Sequence, residues 1–263
     1  WDMHGFNRLG GNSVAETVVA GMIVGEFIAD FCESPEGDLD IRTVLVREAV
    51  EAERARLDVL LHGDGTERAD AIRIEMQQAM TDGVGIFRRG ADLEQAVNRL
   101  QGLLLRSRRI GLRHRVDGPN PELVTAYRTQ KMLKVALCVA AGALARTESR
   151  GAHFREDHPA RDDAQWLKRT LASWPCSDDT LPTLAYEPID VMGMELPPGW
   201  RGSGAKNSVD HPDTPRRAAE VAGMREQLKD QDRHAVQAAI MPYEHLLPER
   251  FRGRNERIDE ALP

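Results

Sequence analysis

From about residue 39 to 148 the chain repeats one pattern: apolar side chains three and four positions apart, set among charges, with only brief breaks. That period is the period of an amphipathic helix. Residues 47–61 place Val50, Ala55, Leu57, Leu60 and Leu61 between charged neighbours. Residues 68–80 carry Ile72, Ile74, Met76 and Met80, and residues 93–105 carry Leu93, Ala96, Val97, Leu100 and Leu104. Residues 122–145 continue with an apolar second half. Asp82-Gly83 and Asp117-Gly118-Pro119 read as the turns between them. Four helices with short breaks predict a bundle.

The flanks differ. Residues 1–32 are a Gly/Asn loop followed by an apolar helix with small residues at Ala20, Gly21, Gly25 and Ala29. After Thr147 the chain turns polar through Asp163, then offers strands at 166–173 and 183–191. From Pro197 it is rich in Pro, Gly and charge, with one helix expected at 214–240 and no core of its own. Thirty-five basic against 42 acidic residues give −7, which argues against a general nucleic-acid binder. The best apolar run, 135–144, is half the roughly 20 residues a membrane span needs. Cys32, Cys138 and Cys176 are far apart and odd in number, so neither a disulfide framework nor a zinc knuckle is expected, and a reducing, cytoplasmic setting fits. The chain opens on Trp1 and passes at once into a Gly-rich motif; it reads as the back part of a longer protein.

That motif, His4-Gly5-Phe6-Asn7-Arg8-Leu9-Gly10-Gly11-Asn12-Ser13-Val14, is the most informative stretch. Gly10-Gly11 permits close backbone approach and positive φ, and Asn12 or Ser13 can cap the helix that follows. A helix N-terminus fed by such a loop offers N–H groups and partial positive charge to an anion. Arg8 adds a planar fork suited to a carboxylate. The plainer alternative is a capped tight turn with Arg8 in a surface ion pair. The loop lacks the strand and spacing of a dinucleotide fingerprint.

Two other clusters stand out. His153, Asp157, His158, Asp162 and Asp163 lack regular metal-ligand spacing and a cysteine partner, so no metal site is expected. A polar network of Arg150, His153 and Arg155 tying the bundle to the preceding domain is the better reading. Residues 106–115 hold five arginines, one histidine and no acid. Without interleaved aromatics they predict a solvated face or a docking surface for an acidic partner. Cys138 reads as packed core, and Glu226, Lys229, Asp230 and Arg233 as surface pairs.

The opening motif resembles the signature near the end of the flavin domain in the succinate dehydrogenase and fumarate reductase flavoprotein family, which also contains L-aspartate oxidase. A second match follows in the right order: Glu148-Ser149-Arg150-Gly151-Ala152-His153-Phe154-Arg155-Glu156-Asp157, then Arg161-Asp162-Asp163. It is similar to the family's motif after its C-terminal helical bundle. Leu196-Pro197-Pro198, Gly202-Ser203-Gly204-Ala205-Lys206 and Met241-Pro242-Tyr243-Glu244 resemble the longer ending of quinol:fumarate reductases of the Wolinella and Desulfovibrio kind. L-aspartate oxidases are not expected to carry that ending. Phe6 departs from the family's commoner Ala and reads as a subfamily mark.

The resemblance implies a mostly α chain: the end of a flavin-binding α/β domain over 1–32, a helical bundle domain over 33–148, and a loop, short-strand and extended-tail region with one helix over 149–263. It implies that Arg8 holds a carboxylate of fumarate or succinate, that the Gly11 backbone approaches the same substrate or the flavin, and that Ser13 and Val14 contact FAD. His4 is assigned a structural role. The implied activity interconverts fumarate and succinate by hydride transfer at FAD. Electrons would be exchanged with quinol or quinone through an iron–sulfur subunit and a membrane cytochrome b subunit, at the cytoplasmic face of the inner membrane. The family's dinucleotide fold, capping domain and proton-donor arginine precede the residues matched here, so no catalytic residue is expected in this chain, and the chain alone should hold neither FAD nor activity. An L-aspartate oxidase of the same fold and a non-enzymatic helical adaptor are the alternatives.

Overall fold

The computed structural model describes residues 10–34, 43–116, 118–193 and 209–231, with 239, 247 and 248. It is mostly helical and divides into two compact units, one formed by residues 40–162 and 168–187, the other by 1–39, 163–167 and 188–263.

The first unit is the bundle. Its helices are α2 (Thr43–His62), α3 (Ala69–Val84), α4 (Gly90–Ser107) and α5 (Pro121–Ala145), where the periodicity predicts four. α3, α4 and α5 pack on one another, and α2 lies along α5. The stripe read on α4 is the core: Leu93 and Leu100 are fully enclosed, and Ala96, Val97 and Leu104 are buried. Ile72, Leu133 and Leu137 close it from α3 and α5. Burying side chains of this size contributes about 1.5–3 kcal/mol each. α5 starts where its sequence says it should. The Asn120 side chain accepts the Leu123 N–H at 3.1 Å, Pro121 occupies the first turn, and Glu122 adds a favourable charge there. Its Ala126, Ala136, Ala140 and Ala143 are all buried.

Three expectations are corrected here. Ile74 lies on the outer face of α3, 63% exposed, two positions from the buried Ile72. On α2 only Leu60 is buried outright, and Val50 and Ala55 are exposed. Asp82-Gly83 is not a turn: α3 runs through it to Val84. A Cβ on Gly83 would lie 2.7 Å from the Ala96 Cβ and 2.8 Å from the Asp92 carbonyl oxygen. The glycine therefore serves the close crossing of α3 with α4, a tertiary demand that overrides its turn propensity.

Two small sheets complete this unit. β1 (Phe87–Arg88) pairs in parallel with β2 (Phe154–Arg155), Phe87 opposite Phe154 and Arg88 opposite Arg155. β3 (Lys168–Ser173) pairs with β4 (Thr183–Pro188), which reaches the unit's boundary. The expected strand at 166–173 thus begins two residues later, because 163–166 form a helical turn, and the second strand stops at Pro188.

In the other unit, α1 (Asn12–Glu33) buries none of its residues. α6 (Asp163–Trp166) and α7 (Thr214–Gln227) accompany it. α7 ends well before residue 240, and 232–238 lie outside the described residues. The tail nevertheless buries side chains: Val191, Val209, Arg217 and Val221 are all enclosed. The Asp210 N–H donates to the Asp163 carboxylate at 2.9 Å.

Candidate functional site

The glycine loop delivers the chain into α1. Gly11 sits at φ 80°, ψ −25°, the left-handed region that a residue without Cβ enters at no steric cost. Its carbonyl accepts the N–H groups of Val14 at 3.1 Å and Ala15 at 3.2 Å. Asn12 and Ser13 are therefore helical residues of the first turn, and Gly11 itself is the N-cap, without a side-chain capping bond. This corrects the expectation that Asn12 or Ser13 caps. Helix geometry gives the first N–H groups no intrahelical acceptor. No acidic residue stands in the first turn, so no side chain of the helix's own first turn offsets the positive end of its dipole. An added Cβ at Gly10 or Gly11 would meet no atom of the described residues within 4 Å. Val14 is 67% exposed. The structure thus places Gly11, Ser13 and Val14 together at one helix entrance. Arg8 and His4 lie outside the described residues.

The second motif forms a knot at the end of the bundle. The Arg155 guanidinium, almost wholly buried, donates to both oxygens of Asp157 at 2.7 and 2.8 Å. It also donates to the Ala143 and Leu144 carbonyls at 3.1 and 3.0 Å. It thereby satisfies the open carbonyls at the C-terminus of α5. Asp157 accepts the Gly90 N–H at 2.9 Å, at the N-terminus of α4. The Arg155 bonds, with the Gly90 amide, hold its carboxyl well below the usual range against burial. Arg88 serves α3 in the same way, donating to the Val84 and Gly85 carbonyls at 3.2 and 2.9 Å. The two-residue β1–β2 ladder therefore gathers the ends of three helices.

His153 joins this knot as a neutral ring. Arg88, which can only donate, binds its Nδ1 at 2.8 Å, so the proton sits on Nε2, which faces the Arg146 carbonyl at 3.1 Å. Burial lowers the His153 pKa. The Arg146 carbonyl opposes that, and the charges of Arg88, Arg146 and Arg155 add to it. Glu148 is fully enclosed and accepts from Arg146 at 2.6 Å, Arg150 at 2.8 and 2.9 Å and the Asp162 N–H at 2.9 Å. Burial pushes its pKa up, but the bonds from Arg150, the Asp162 amide and Arg146 outweigh it, and the net shift is downward.

The network read from Arg150, His153 and Arg155 exists, and the partners described for those three residues belong to the bundle unit itself. Arg88, Arg146 and Gly90 are the members that sequence reasoning missed. The nearest signal was the strand-like Phe87-Arg88 before α4, too short to register.

Four of the five arginines in the run, Arg108, Arg109, Arg113 and Arg115, are exposed, as a solvated face requires, and Arg106 is half-buried. Arg106 is forked by Glu67 and Glu75, with contacts of 2.8–3.0 Å. Arg108 donates to the Asp178 carbonyl at 2.8 Å and Arg115 to the Gly63 carbonyl at 2.6 Å. The segment is laced to the strand-like residues before α3, with Glu67 bridging Ile110. Cys138 receives the Trp174 indole N–H at 3.2 Å, half-buried on α5.

With this geometry in place, comparison is informative. Residues 73–203 match the family model described as fumarate reductase flavoprotein C-term. A fumarate reductase flavoprotein subunit of Helicobacter pylori is 48% identical over 263 residues, 99% of this chain and 36% of that protein. The Escherichia coli K12 fumarate reductase flavoprotein subunit is 36% identical, over 78% of this chain and 33% of that protein. Among solved structures, a quinol-fumarate reductase with menaquinol molecules aligns with a TM-score of 0.60 at 34% identity, over 70% of this chain and 32% of its own. The Mycobacterium smegmatis Sdh1 complex aligns at 0.57 and 31% identity, over 69% and 30%. The chain spans about a third of the length of the relatives it matches.

Proposed function

The chain belongs to the fumarate reductase and succinate dehydrogenase flavoprotein family, as its C-terminal part, and we propose that within the whole subunit it closes the site where fumarate and succinate are interconverted. The observation that carries this reading is the entrance to α1. A left-handed Gly11, an open first turn without an acid, and Ser13 and Val14 at its edge suit a ligand carrying negative charge. These residues fit FAD, whose reduced ring is anionic; when bound, FAD supplies the hydride chemistry. Ser13 and Val14, at the start of α1, would contact it. The dipole and amides of the first turn would stabilise the developing charge without reorganising.

Arg8, three residues before Gly11, would grip one substrate carboxylate by two parallel N–H bonds and fix its orientation. Gly11 lets the backbone come close to the same ligand. Electrons would be exchanged with quinol or quinone through an iron–sulfur subunit and a membrane cytochrome b subunit, the flavoprotein lying peripherally on the cytoplasmic face of the inner membrane. No helix among the described residues is long and apolar enough to cross a membrane. The Helicobacter match runs through 99% of the chain, whereas the E. coli match covers 78%. This supports the long-tailed kind of fumarate reductase.

The test is Arg8→Lys in the complete flavoprotein. A lysine keeps the charge and loses the fork, so KM for fumarate rises and turnover falls together. Kinetics unchanged from the parent would overturn the assignment.

A further inference from the structure

A cavity of about 210 Å³ opens between α2 and α5, within the bundle unit and lined by none of the residues of the helix-end knot. Arg56 and Leu60 reach it from α2, Tyr127, Lys131 and Lys134 from α5, and Ser177 from the connection between β3 and β4. Three cationic side chains line it and, among the described residues, no acid does. The acid nearest in the bonding pattern is Glu53. It accepts a hydrogen bond from the Tyr127 hydroxyl at 2.6 Å, pairs with Arg56 at 2.6 Å and stands 3.5 Å from Lys131. One carboxylate against three cations leaves two positive charges at the cavity mouth.

Those charges are held in place. Lys131 donates to the Tyr127 hydroxyl and lies over its ring, 4.1 Å from the centroid. Lys134 donates to the Ser177 carbonyl at 3.1 Å and lies 4.7 Å above the Trp174 ring. An ammonium has three donors and a guanidinium five, so each cation keeps donors for a ligand after these bonds. Leu60, 5% exposed, adds an apolar wall. The volume is below the roughly 300–1,000 Å³ of drug-sized pockets, which sets the scale of the ligand.

We infer that this cavity is a binding site for a small organic dianion: two charged oxygen groups on a short apolar body. The charges meet Arg56, Lys131 and Lys134 through charge-assisted hydrogen bonds, and the body lies against Leu60 and the Tyr127 ring. The cavity shares no residue with the proposed substrate site and does not depend on that proposal.

Calorimetric titration of the complete flavoprotein carrying Arg8→Gln, so that the proposed substrate position does not take up the probe, with glutarate, inorganic phosphate and acetate tests it. Glutarate binds saturably at one site, at least about tenfold tighter than acetate, and more weakly as salt is raised. The double variant Lys131→Gln/Lys134→Gln loses at least about tenfold in glutarate affinity, with an unchanged melting temperature showing that it folds. Lys229→Gln, on an exposed pair with Glu226, binds as the parent does. Absence of saturable heat with glutarate, or equal binding by the double variant, overturns the inference. Phosphate binding as tightly as glutarate overturns the apolar part of it.

Discussion

Removing Glu148 should cost the bundle more stability than any surface substitution. Its side chain is fully enclosed, and its two oxygens accept four hydrogen bonds, three of them from Arg146 and Arg150. Those guanidiniums are themselves only 14% and 29% exposed. Glu148→Ala leaves two poorly solvated cations side by side and the Asp162 amide without its acceptor. Breaking a buried pair by deleting one partner costs about 3–5 kcal/mol. For a unit of this size that is a fall in Tm of roughly 6–20 °C. Glu148→Gln keeps the shape and loses the charge, costing about 1.5–3 kcal/mol.

The pH dependence has a definite sign. The folded pKa of Glu148 is lowered, so its stabilisation is complete above the unfolded value near 4.3 and is lost as pH falls through the folded one. The gap between parent and Glu148→Gln, read from urea unfolding followed by circular dichroism, therefore narrows on acidification below about pH 4.3. A Glu148→Ala protein within about 0.5 kcal/mol of the parent, or a gap that widens in acid, would refute this reasoning.

Gly83→Val forces a side chain into the α3–α4 crossing, where the first added carbon already lies 2.7 Å from Ala96; denaturant unfolding should show a loss of about 1–3 kcal/mol. His153 has a folded pKa below its ordinary value, so the parent loses stability as pH falls from about 6.5. His153→Gln should flatten that slope in melting curves taken across this range. Gly11→Ala, at φ 80°, should cost about 1 kcal/mol of local strain and lower kcat/KM for fumarate in the complete flavoprotein by displacing the loop that carries Arg8.

The bundle was legible because its helices bury one face each: the α4 stripe from Leu93 to Leu104 is the core as read. The errors came where distant residues decide. Gly83 reads as a turn until Ala96 and Asp92 are known to press on it. Arg106 reads as one more member of a solvated face until Glu67 and Glu75, more than thirty residues upstream, are known to fork it. The Glu148–Asp157 motif was recognisable as a polar network. Its function of closing three helix ends depends on Arg88 and Gly90 meeting it across the β1–β2 ladder, a non-local pairing that local pattern does not encode. At the α1 entrance the glycines pointed to the loop, while the left-handed N-cap at Gly11 displaced the side-chain cap expected from Asn12 or Ser13.

The most direct test of the central claim is the visible spectrum of the complete flavoprotein, reduced with dithionite under anaerobic conditions and then given fumarate. The bleached flavin band should return on addition of fumarate, and return far more slowly in Arg8→Lys. A protein without a flavin band, or a reduced flavin indifferent to fumarate, would contradict the account.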